Sequence, residues 1–272
     1  MTLRSGTIMT APNAFDEIAE TYDASFTDSA IGWAQRKAVW KEVDRNFTAR
    51  QRVLEINCGT GVDALHLASQ GVHVTACDSS PRMIALARQR AGLAVISPTV
   101  DFRVLANEQI ETLHSEGPFD GILSNFSGLN CIPDLSFLAD DLAQLVKEPS
   151  SMVLCLFGRF CIWETFWYLS RGNIRKATRR FAQEGSSAAL SARSKTNVWY
   201  HSVRKLKKAF APHFRLLRWK GVGITVPPSY LDFLATRYPQ SFHLASQIDP
   251  WLGNCPAFRA MADHMLLTFE RT

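Results

Sequence analysis

The chain has 272 residues, of which 46% are hydrophobic, and a formal net charge of +5. This length accommodates one large α/β domain with an elaboration, or two small domains. No apolar run reaches the ~18 residues of a membrane-spanning helix, and the first residues lack the apolar core of a signal peptide, which predicts a cytoplasmic protein without a transmembrane segment. Six scattered cysteines form no C-x-x-C pair and no His/Cys metal spacing, so we expect reduced thiols and no metal site.

The first predicted elements are helices. Residues 1–13 show no periodicity, which indicates a frayed terminus. Apolar residues at positions 15, 18, 19 and 22 form a stripe that predicts a helix over residues 14–23, and a second helix is predicted over residues 33–47. We expect the first helix to pack on the domain that follows.

Residues 53–90 form the central pattern of the chain. A short apolar run predicts a buried strand over residues 53–56, the loop Asn57-Cys58-Gly59-Thr60-Gly61 interrupts it, and a helical period then continues as far as Gly71. A second strand is predicted over residues 72–77, with Asp78 at its carboxyl end. This order of strand, glycine loop, helix and strand is typical of a site for a nucleotide-like ligand whose ribose hydroxyls bind the acid.

Two classes of ligand fit this unit. Residues 59–64 match the G-x-G-x-x-A dinucleotide pattern, which leaves a NAD(P)-dependent oxidoreductase as an alternative. Glu55, however, lies inside the first strand just ahead of the glycines. A carboxylate there would repel a pyrophosphate and suits a ligand with a cationic group.

Three more parallel strands are predicted along the chain, over residues 100–105, 119–125 and 151–157, with a helix over residues 133–147 before the last of them. The fourth strand ends at Asn125-Phe126-Ser127. Ligands bind at the carboxyl ends of such strands, so we expect Asn125 and Phe126 to lie at the ligand site.

Residues 158–196 interrupt the alternation of strands and helices and are rich in aromatic side chains. A helix is predicted over residues 173–184, with apolar residues on one face and arginines and lysine on another. One interpretation is a helical cap with a packed aromatic core and solvated charges. The other is a lid over a hydrophobic substrate, in which the aromatic residues Phe160, Trp163 and Trp167 contact the substrate and Arg175 and Arg179 bind its charge.

The C-terminal part, from residue 197, is predicted to complete the sheet. A short strand is predicted over residues 197–200, a helix with Ser202 as N-cap over residues 203–210, and strands over residues 214–219 and 264–271, the last of them antiparallel. Residues 171–220 contain fourteen Lys and Arg residues but a single acid, Glu184, which predicts one basic face. His201, beside Tyr200, is the candidate general base, although a lone histidine is more often a surface or core residue.

The segments VLEINCGTG and ACDSSPRMIALAR resemble motifs I and II of the class I S-adenosylmethionine (SAM) methyltransferases, and most closely the ubiquinone/menaquinone-biosynthesis-like group. This resemblance implies an α/β fold with a doubly wound, Rossmann-like sheet of seven strands, the last antiparallel, and a helical lid insertion. It divides the chain into residues 1–50, 51–157, 158–196 and 197–272. The group usually has glycine where this chain has Asn57, and Asn tolerates the positive φ expected there.

The resemblance also implies which residues hold the cofactor SAM. The pattern FD-x-x-A-x-x-YD near the N-terminus is found in many small-molecule methyltransferases and places Tyr22 at the pocket. Ala106 stands where the family often has an acid that meets the adenine, so Ala106 and Asn107 are expected to substitute for it. The full set of expected cofactor contacts is Tyr22, Arg36, Glu55, Asn57, Cys58, Gly59, Gly61, Asp78, Ser79, Met83, Ala106, Asn107, Asn125 and Phe126.

The sequence therefore predicts a SAM-dependent methyltransferase acting by direct displacement on a small acceptor that is hydrophobic, lipid-like or bound to a carrier protein. A non-catalytic SAM-fold binding subunit is a second alternative beside the oxidoreductase. Nucleic acid is not expected as a partner, because the fourth strand lacks an Asn-Pro-Pro-Tyr/Phe type motif and the basic residues lie in predicted helices rather than in a tail.

Overall fold

The computed structural model describes residues 14–94, 99–182, 184–191 and 194–272, so the prediction for residues 1–13 lies outside the described residues. The strands are β1 (Arg52–Ile56), β2 (His73–Asp78), β3 (Val100–Val104), β4 (Phe119–Ser124), β5 (Val146–Phe157), β6 (Ser186–Ala189), β7 (Lys195–Val198), β8 (Phe214–Val222) and β9 (His264–Arg271). The α-helices are α1 (Ala19–Tyr22), α2 (Ala30–Asn46), α3 (Val62–Ser69), α4 (Pro81–Leu93), α5 (Ser136–Leu145), α6 (Ile162–Leu169), α7 (Ile174–Ala177), α8 (Val203–Phe210), α9 (Phe233–Arg237) and α10 (Pro239–Asn254).

Seven strands form one sheet in the order β3-β2-β1-β4-β5-β9-β8. The first five strands pair in parallel, and β9 lies antiparallel between β5 and β8. The prediction of a doubly wound sheet of seven strands whose last strand is antiparallel is confirmed. Because the direction of the chain reverses in β9, the start of this strand lies at the same edge as the carboxyl ends of β1, β2 and β4.

The sheet is buried on both faces, which explains why its central strands are apolar runs. Residues 53–56 of β1 are all buried. One hydrophobic core packs around α5 and α8, and the other around α2, α3 and α4. The helix caps predicted from the sequence also form, since Ser202 Oγ accepts a hydrogen bond from the amide of Lys205 at 3.1 Å.

The N-terminal helix differs from the prediction over residues 14–23. Only α1 is α-helical, residues 14–18 form turns, and a π-helix follows over Asp23–Thr27. Two aspartates explain the interruption. Asp16 accepts a hydrogen bond from Ser80 Oγ at 2.5 Å, and Asp23 accepts one from Thr60 Oγ1 at 2.7 Å. These tertiary bonds hold the segment against the glycine loop and α4 instead of leaving it as a regular helix.

Other predicted elements also differ from the structure. The helix predicted over residues 133–147 begins at Ser136, because Asp134 accepts its backbone N–H in a turn, and it ends at Leu145, since Val146 already pairs with Phe119 of β4. The helix predicted over residues 173–184 is only the short α7 and a 3-10 turn at Arg179–Phe181. The strand predicted over residues 197–200 lies at β7 and pairs with β6 in a separate two-stranded sheet.

Among the described helices, none combines the length and the apolar character that crossing a bilayer would require. The division of the chain into four segments stays a prediction.

Candidate functional site

A cavity of about 710 Å³ lies at the carboxyl edge of the parallel strands. Its wall is formed by the N-terminal helices, the glycine loop, the ends of β2, β4 and β5, the insertion and the start of β9. Pockets for small molecules have volumes of roughly 300–1,000 Å³, so this cavity has room for a large ligand. The glycine loop lines one part of the cavity and α6 lines another. Residues of the β6–β7 hairpin also line it, and Ser194 Oγ beside β7 donates a hydrogen bond to the carbonyl of Ala14 at 2.9 Å.

The glycine loop has the backbone conformation that its composition predicts. Asn57, Gly59 and Gly61 have φ values of 59°, 54° and 75°. Asn57 therefore adopts the left-handed conformation expected of it, and its Oδ1 accepts a hydrogen bond from Ser124 Oγ at 3.2 Å. Gly59 lines the cavity, and a Cβ added there would meet no atom within 4 Å. Gly61 does not line it, because a Cβ there would lie 2.7 Å from the Phe102 ring.

The carboxylate of Asp78 lines the cavity and is held by the backbone. The amide of Gly59 donates to its Oδ2 and the amide of Ser80 to its Oδ1, both at 2.9 Å. Burial raises the pKa of this carboxyl above its ordinary value, while the two amide donors act in the opposite direction. Each oxygen retains a second lone pair, so a pair of ligand hydroxyls could bind here.

Tyr22 and Arg36 approach the same part of the cavity from the N-terminal helices. The buried guanidinium of Arg36 pairs with Asp63 and lies over the ring of Phe126 at 4.7 Å. Asp63 also accepts a hydrogen bond from Trp40 Nε1 at 2.6 Å. Burial raises the pKa of Tyr22 to about 12, so its hydroxyl stays protonated at neutral pH. Both predicted residues line the cavity.

Glu55 does not line the cavity. It is buried in β1, and its Oε2 has no hydrogen-bond partner among the described residues. Burial, and next the negative charge of Asp63, raise its pKa well above the ordinary value, which Arg36 only partly offsets. The neutral form is therefore favoured, and this correction weakens the sequence argument that a charged Glu55 repels pyrophosphate.

The end of β4 presents unpaired polar atoms to the cavity. Asn125 Oδ1 accepts a hydrogen bond from the amide of Phe126 at 2.9 Å, which leaves Asn125 Nδ2 buried without a partner in the described part of the chain. The same is true of Ser127 Oγ. Phe126 and Ser127 have φ values of 47° and 72°, a conformation that costs energy outside glycine. Both residues line the cavity, so these two atoms are available to a bound ligand.

The other predicted cofactor residues divide between two groups. Cys58, Ser79, Met83 and Asn107 line the cavity. Ala106 does not line the cavity. The first residue after β3 that lines it is Asn107.

Four ionisable side chains meet at the opposite end. Glu164 of α6 accepts hydrogen bonds from Arg179 Nε at 2.7 Å and from Arg180 Nη2 at 2.9 Å. Arg180 Nη2 also donates to Asp263 Oδ1 at 2.6 Å. Arg180, Asp263 and Glu164 are buried. The arginines hold the pKa of Glu164 below its usual value although burial acts in the opposite direction, so this cluster of two acids and two bases is charge-balanced.

His264, which the sequence did not single out, lines the cavity beside this cluster. Its ring stacks on Phe157 with centroids 4.7 Å apart, and its Nδ1 lies 3.4 Å from Asp263 Oδ2. Burial lowers the pKa of His264, and Arg180 acts in the same direction, which favours the neutral imidazole at pH 7. The signal in the sequence was the antiparallel direction of β9, which brings its first residue to the ligand edge.

His201 is not in the cavity wall. Its buried ring lies against the loop after β4, with Nε2 3.0 Å from the carbonyl oxygen of Ile132. The prediction that it faces the cleft as a base is therefore corrected, because its ring packs against the loop after β4 instead. Tyr200 does line the cavity, together with Tyr168 and Tyr230. None of these three hydroxyls has a hydrogen-bond partner among the residues that the structure describes.

Most residues predicted to contact the substrate lie outside the cavity wall. Phe160 stacks on Phe181 with ring centroids 6.2 Å apart, and Trp163 Nε1 donates to the carbonyl of Ile224 at 2.8 Å. Trp167 packs on Phe233 at 5.8 Å between centroids, and Arg175 is exposed. For the aromatic residues, the interpretation as packing is therefore the correct one. Arg179 alone of the five lines the cavity, where it is paired with Glu164.

All six cysteines are free thiols. Within the described ranges, no group of three or more His, Cys, Asp or Glu residues is arranged to hold a metal ion.

Comparison with known proteins agrees with this fold. Residues 53–149 match a family described as "Methyltransferase domain". Over these residues, which include the glycine loop and Asp78, the chain is similar to the class I SAM-dependent methyltransferases. A solved SAM-dependent methyltransferase from Mesorhizobium loti shares its fold with a TM-score of 0.54 at 15% identity, over 86% of this chain and 98% of that one.

Relatives with assigned reactions match only part of this chain. A ubiquinone biosynthesis O-methyltransferase of Xylella fastidiosa (strain M23) is 28% identical over 54% of this chain and 65% of its own length. A tRNA 5-carboxymethoxyuridine methyltransferase of Escherichia coli (strain K12) is 31% identical over 40% of this chain and 43% of its own. The chain thus spans less than two thirds of either relative, and the two act on different classes of acceptor.

Proposed function

We propose that this protein transfers the methyl group of SAM to a small-molecule acceptor. The observation that carries the proposal is that one cavity joins the glycine loop and Asp78 to the polar end formed by α6, Tyr200 and His264. Cofactor and acceptor could therefore lie in contact without water between them, which direct displacement requires.

The residues at the glycine-loop end fit SAM. The carboxylate of Asp78 would accept the ribose hydroxyls, Gly59 would allow the close approach of the ligand, and Met83 and Asn107 would flank the base. The unpaired Asn125 Nδ2 and Ser127 Oγ would find partners on the bound molecule. When bound, SAM supplies a methyl group on a cationic sulfur, which makes that carbon electrophilic.

The residues at the other end would hold the acceptor. The hydroxyls of Tyr168, Tyr200 and Tyr230 line the wall and could orient oxygen atoms of the acceptor. If the acceptor is a hydroxyl compound, the neutral imidazole of His264 would take its proton and Asp263 would stabilise the resulting cation. The charge-balanced cluster around Glu164 favours a neutral or weakly charged acceptor over an anion.

Calorimetric titration tests the cofactor assignment. We expect SAM and its demethylated product S-adenosylhomocysteine (SAH) to bind, and NADH not to bind. Binding of NADH alone would refute the proposal in favour of the oxidoreductase alternative, for which the comparisons give no support.

Substitution of Asp78 tests the role of the carboxylate. Asp78→Ala should weaken SAH binding by about 1.5–3 kcal/mol, the usual contribution of hydrogen bonds to a charged group. Asp140→Ala is the matched control, since Asp140 is exposed in α5 and does not line the cavity. An equal SAH affinity for Asp78→Ala and wild type would show that the ribose binds elsewhere.

The class of acceptor can be determined by incubating the protein with methyl-labelled SAM and measuring which fraction becomes labelled. We expect label in a small-molecule or lipid extract supplied as acceptor and none in RNA. Label in RNA would favour the reaction class of the E. coli relative, and the absence of label from every fraction would favour a non-catalytic binding subunit.

A further inference from the structure

Helix α6 has two faces with different surroundings. Glu164 and Tyr168 lie on the face that lines the cavity. The opposite face carries Phe166 and Leu169, whose exposed fractions are 73% and 49%. Ile174 at the start of α7 is 66% exposed. Three large apolar side chains are thus exposed within residues 166–174, on the side of the lid that faces away from the cavity.

Cations accompany these apolar residues. Arg171, Arg175 and Lys176 are all exposed. Arg171 lies over the ring of Trp167 at 3.2 Å and Lys176 Nζ lies 5.4 Å from the ring of Tyr168, so both stems rest on aromatic rings. The only acid in residues 158–182 is Glu164, which is buried and paired with arginines. The outer face of this segment is therefore both apolar and uniformly positive.

We propose that this outer lid face, formed by Phe166, Leu169, Ile174, Arg171, Arg175 and Lys176, binds the surface of an anionic lipid bilayer. The three apolar side chains would enter the headgroup region while the three cations pair with lipid phosphates. A short helix with apolar residues on one side and Lys or Arg beside them, without exposed acids, has the composition of an interfacial segment.

The charge of the face favours a bilayer over a folded protein partner. A protein partner that neutralised three cations would have to offer matching acids at fixed positions, whereas a fluid layer of anionic lipids adjusts to them.

Together with the proposed function, this contact gives an apolar acceptor a route into the cavity. Tyr168 lies in the cavity wall one turn from the exposed Phe166 and Leu169, so the same helix separates the bilayer from the acceptor end. This step rests on the proposed function, but the binding to lipid does not depend on it.

Flotation with lipid vesicles tests the proposal. Wild-type protein is mixed with vesicles of phosphatidylcholine alone or with added phosphatidylglycerol. We expect co-flotation with the anionic vesicles, weaker association with the neutral ones, and a loss of binding as salt is added, because surface charges are screened over ~8 Å at physiological ionic strength.

Two lid variants and two matched controls locate the contact. The triple variant Arg171→Gln, Arg175→Gln, Lys176→Gln should lower vesicle binding at least about tenfold, as each cation near an anionic surface contributes about 1 kcal/mol. The double variant Phe166→Ser, Ile174→Ser should lower it similarly. The controls remove three exposed cations of α8 (Arg204→Gln, Lys207→Gln, Lys208→Gln) or two exposed apolar residues of α10 (Leu244→Ser, Ile248→Ser) and should bind as wild type does.

Three results would overturn the proposal. They are wild-type protein that does not bind anionic vesicles, an α8 control that loses as much binding as the triple lid variant, and lid variants that both bind as wild type does. Titration of SAH into the same samples separates this proposal from the proposed function. Intact SAH binding without vesicle binding rejects the lid face alone, whereas vesicle binding without SAH binding rejects the cofactor assignment alone.

Discussion

Gly59 and Gly61 share positive φ but face different surroundings, and this difference gives a matched pair of variants. Gly59→Ala would point its methyl group into the open cavity, while Gly61→Ala would drive it against the ring of Phe102 and Cβ of Ala87 at 2.7 and 2.8 Å. Each substitution also incurs about 1–2 kcal/mol for a left-handed alanine.

We therefore expect Gly61→Ala to lower the free energy of unfolding by more than Gly59→Ala does, by about 1–3 kcal/mol for the steric overlap. Gly59→Ala should weaken SAH binding more than Gly61→Ala does, although it lowers the free energy of unfolding less. Urea unfolding and calorimetry on both variants check this. The reverse order of the two stability losses would contradict the assignment of Gly61 to the core.

Glu55 makes the stability of the protein dependent on pH. Its folded-state pKa is raised well above the unfolded value, mainly by burial. A carboxyl of this kind contributes stability that is fully present below the unfolded pKa of about 4.5 and is lost as pH rises through the folded pKa.

Glu55→Gln removes this dependence, because the amide imitates the neutral acid. The variant should be about as stable as wild type near pH 5 and more stable above the folded pKa. Thermal unfolding from about pH 5 to about pH 9 measures the difference between the two curves. Glu111→Gln, an exposed substitution, should follow wild type throughout. A constant difference between wild type and Glu55→Gln would mean that Glu55 does not titrate in this range.

At the scale of elements, the insertion is held to the sheet by ionic contacts as well as by packing. Glu164 of α6 binds both arginines of the 3-10 turn, and Arg180 continues to Asp263, just before β9. Arg175 and Arg179 are predicted from the sequence to bind the charge of a substrate. Reversing the charge of Arg179 would break its contact with Glu164 instead of testing that role. Only Arg175 of the two is exposed and open to such a test.

Glu164→Gln should lower the free energy of unfolding by about 1–3 kcal/mol, because it removes a charged acceptor from buried donors. This loss of stability should be smaller than the loss caused by leaving a buried charge without any partner, because Arg180 still pairs with Asp263 in the variant. The control is Glu270→Gln, whose exposed ion pair with Arg215 should contribute about 0–1 kcal/mol. Equal losses in urea unfolding would show that the Glu164 cluster does not stabilise the insertion.

For the whole molecule, the cavity brings together segments that are far apart in sequence. Tyr22 and Phe26 of the N-terminal segment line the part proposed to hold SAM, together with the glycine loop and the end of β4. Glu164 and Tyr168 of α6 line the part proposed to hold the acceptor. Binding of SAH should therefore slow amide hydrogen exchange in the first group of segments.

Helix α6 should keep its exchange rate when SAH binds alone. Mass spectrometry of peptides before and after exchange in the presence of SAH measures both effects. Protection confined to the glycine loop would show that the N-terminal helices do not cover the cofactor. Protection of α6 would place SAH across both parts of the cavity.

The sequence by itself determined the cofactor half. Turn chemistry and strand periodicity are local, so residues 53–78 are enough to predict this half. They predict the strands β1 and β2, the positive φ of Asn57, Gly59 and Gly61, and the position of Asp78. Gly61 and Glu55 show the limit of that inference, since the pattern does not reveal which side chains face the ligand and which face the core.

Only the tertiary structure decided the acceptor half. Glu164, Arg180 and Asp263 are brought together across up to 99 residues of chain, and each looks like an ordinary surface charge in the sequence. His264 lines the cavity because β9 runs antiparallel and starts at the ligand edge. His201 does not line it, because its ring is buried against the carbonyl of Ile132. Contacts of this kind depend on the order and direction of strands, which no local pattern encodes.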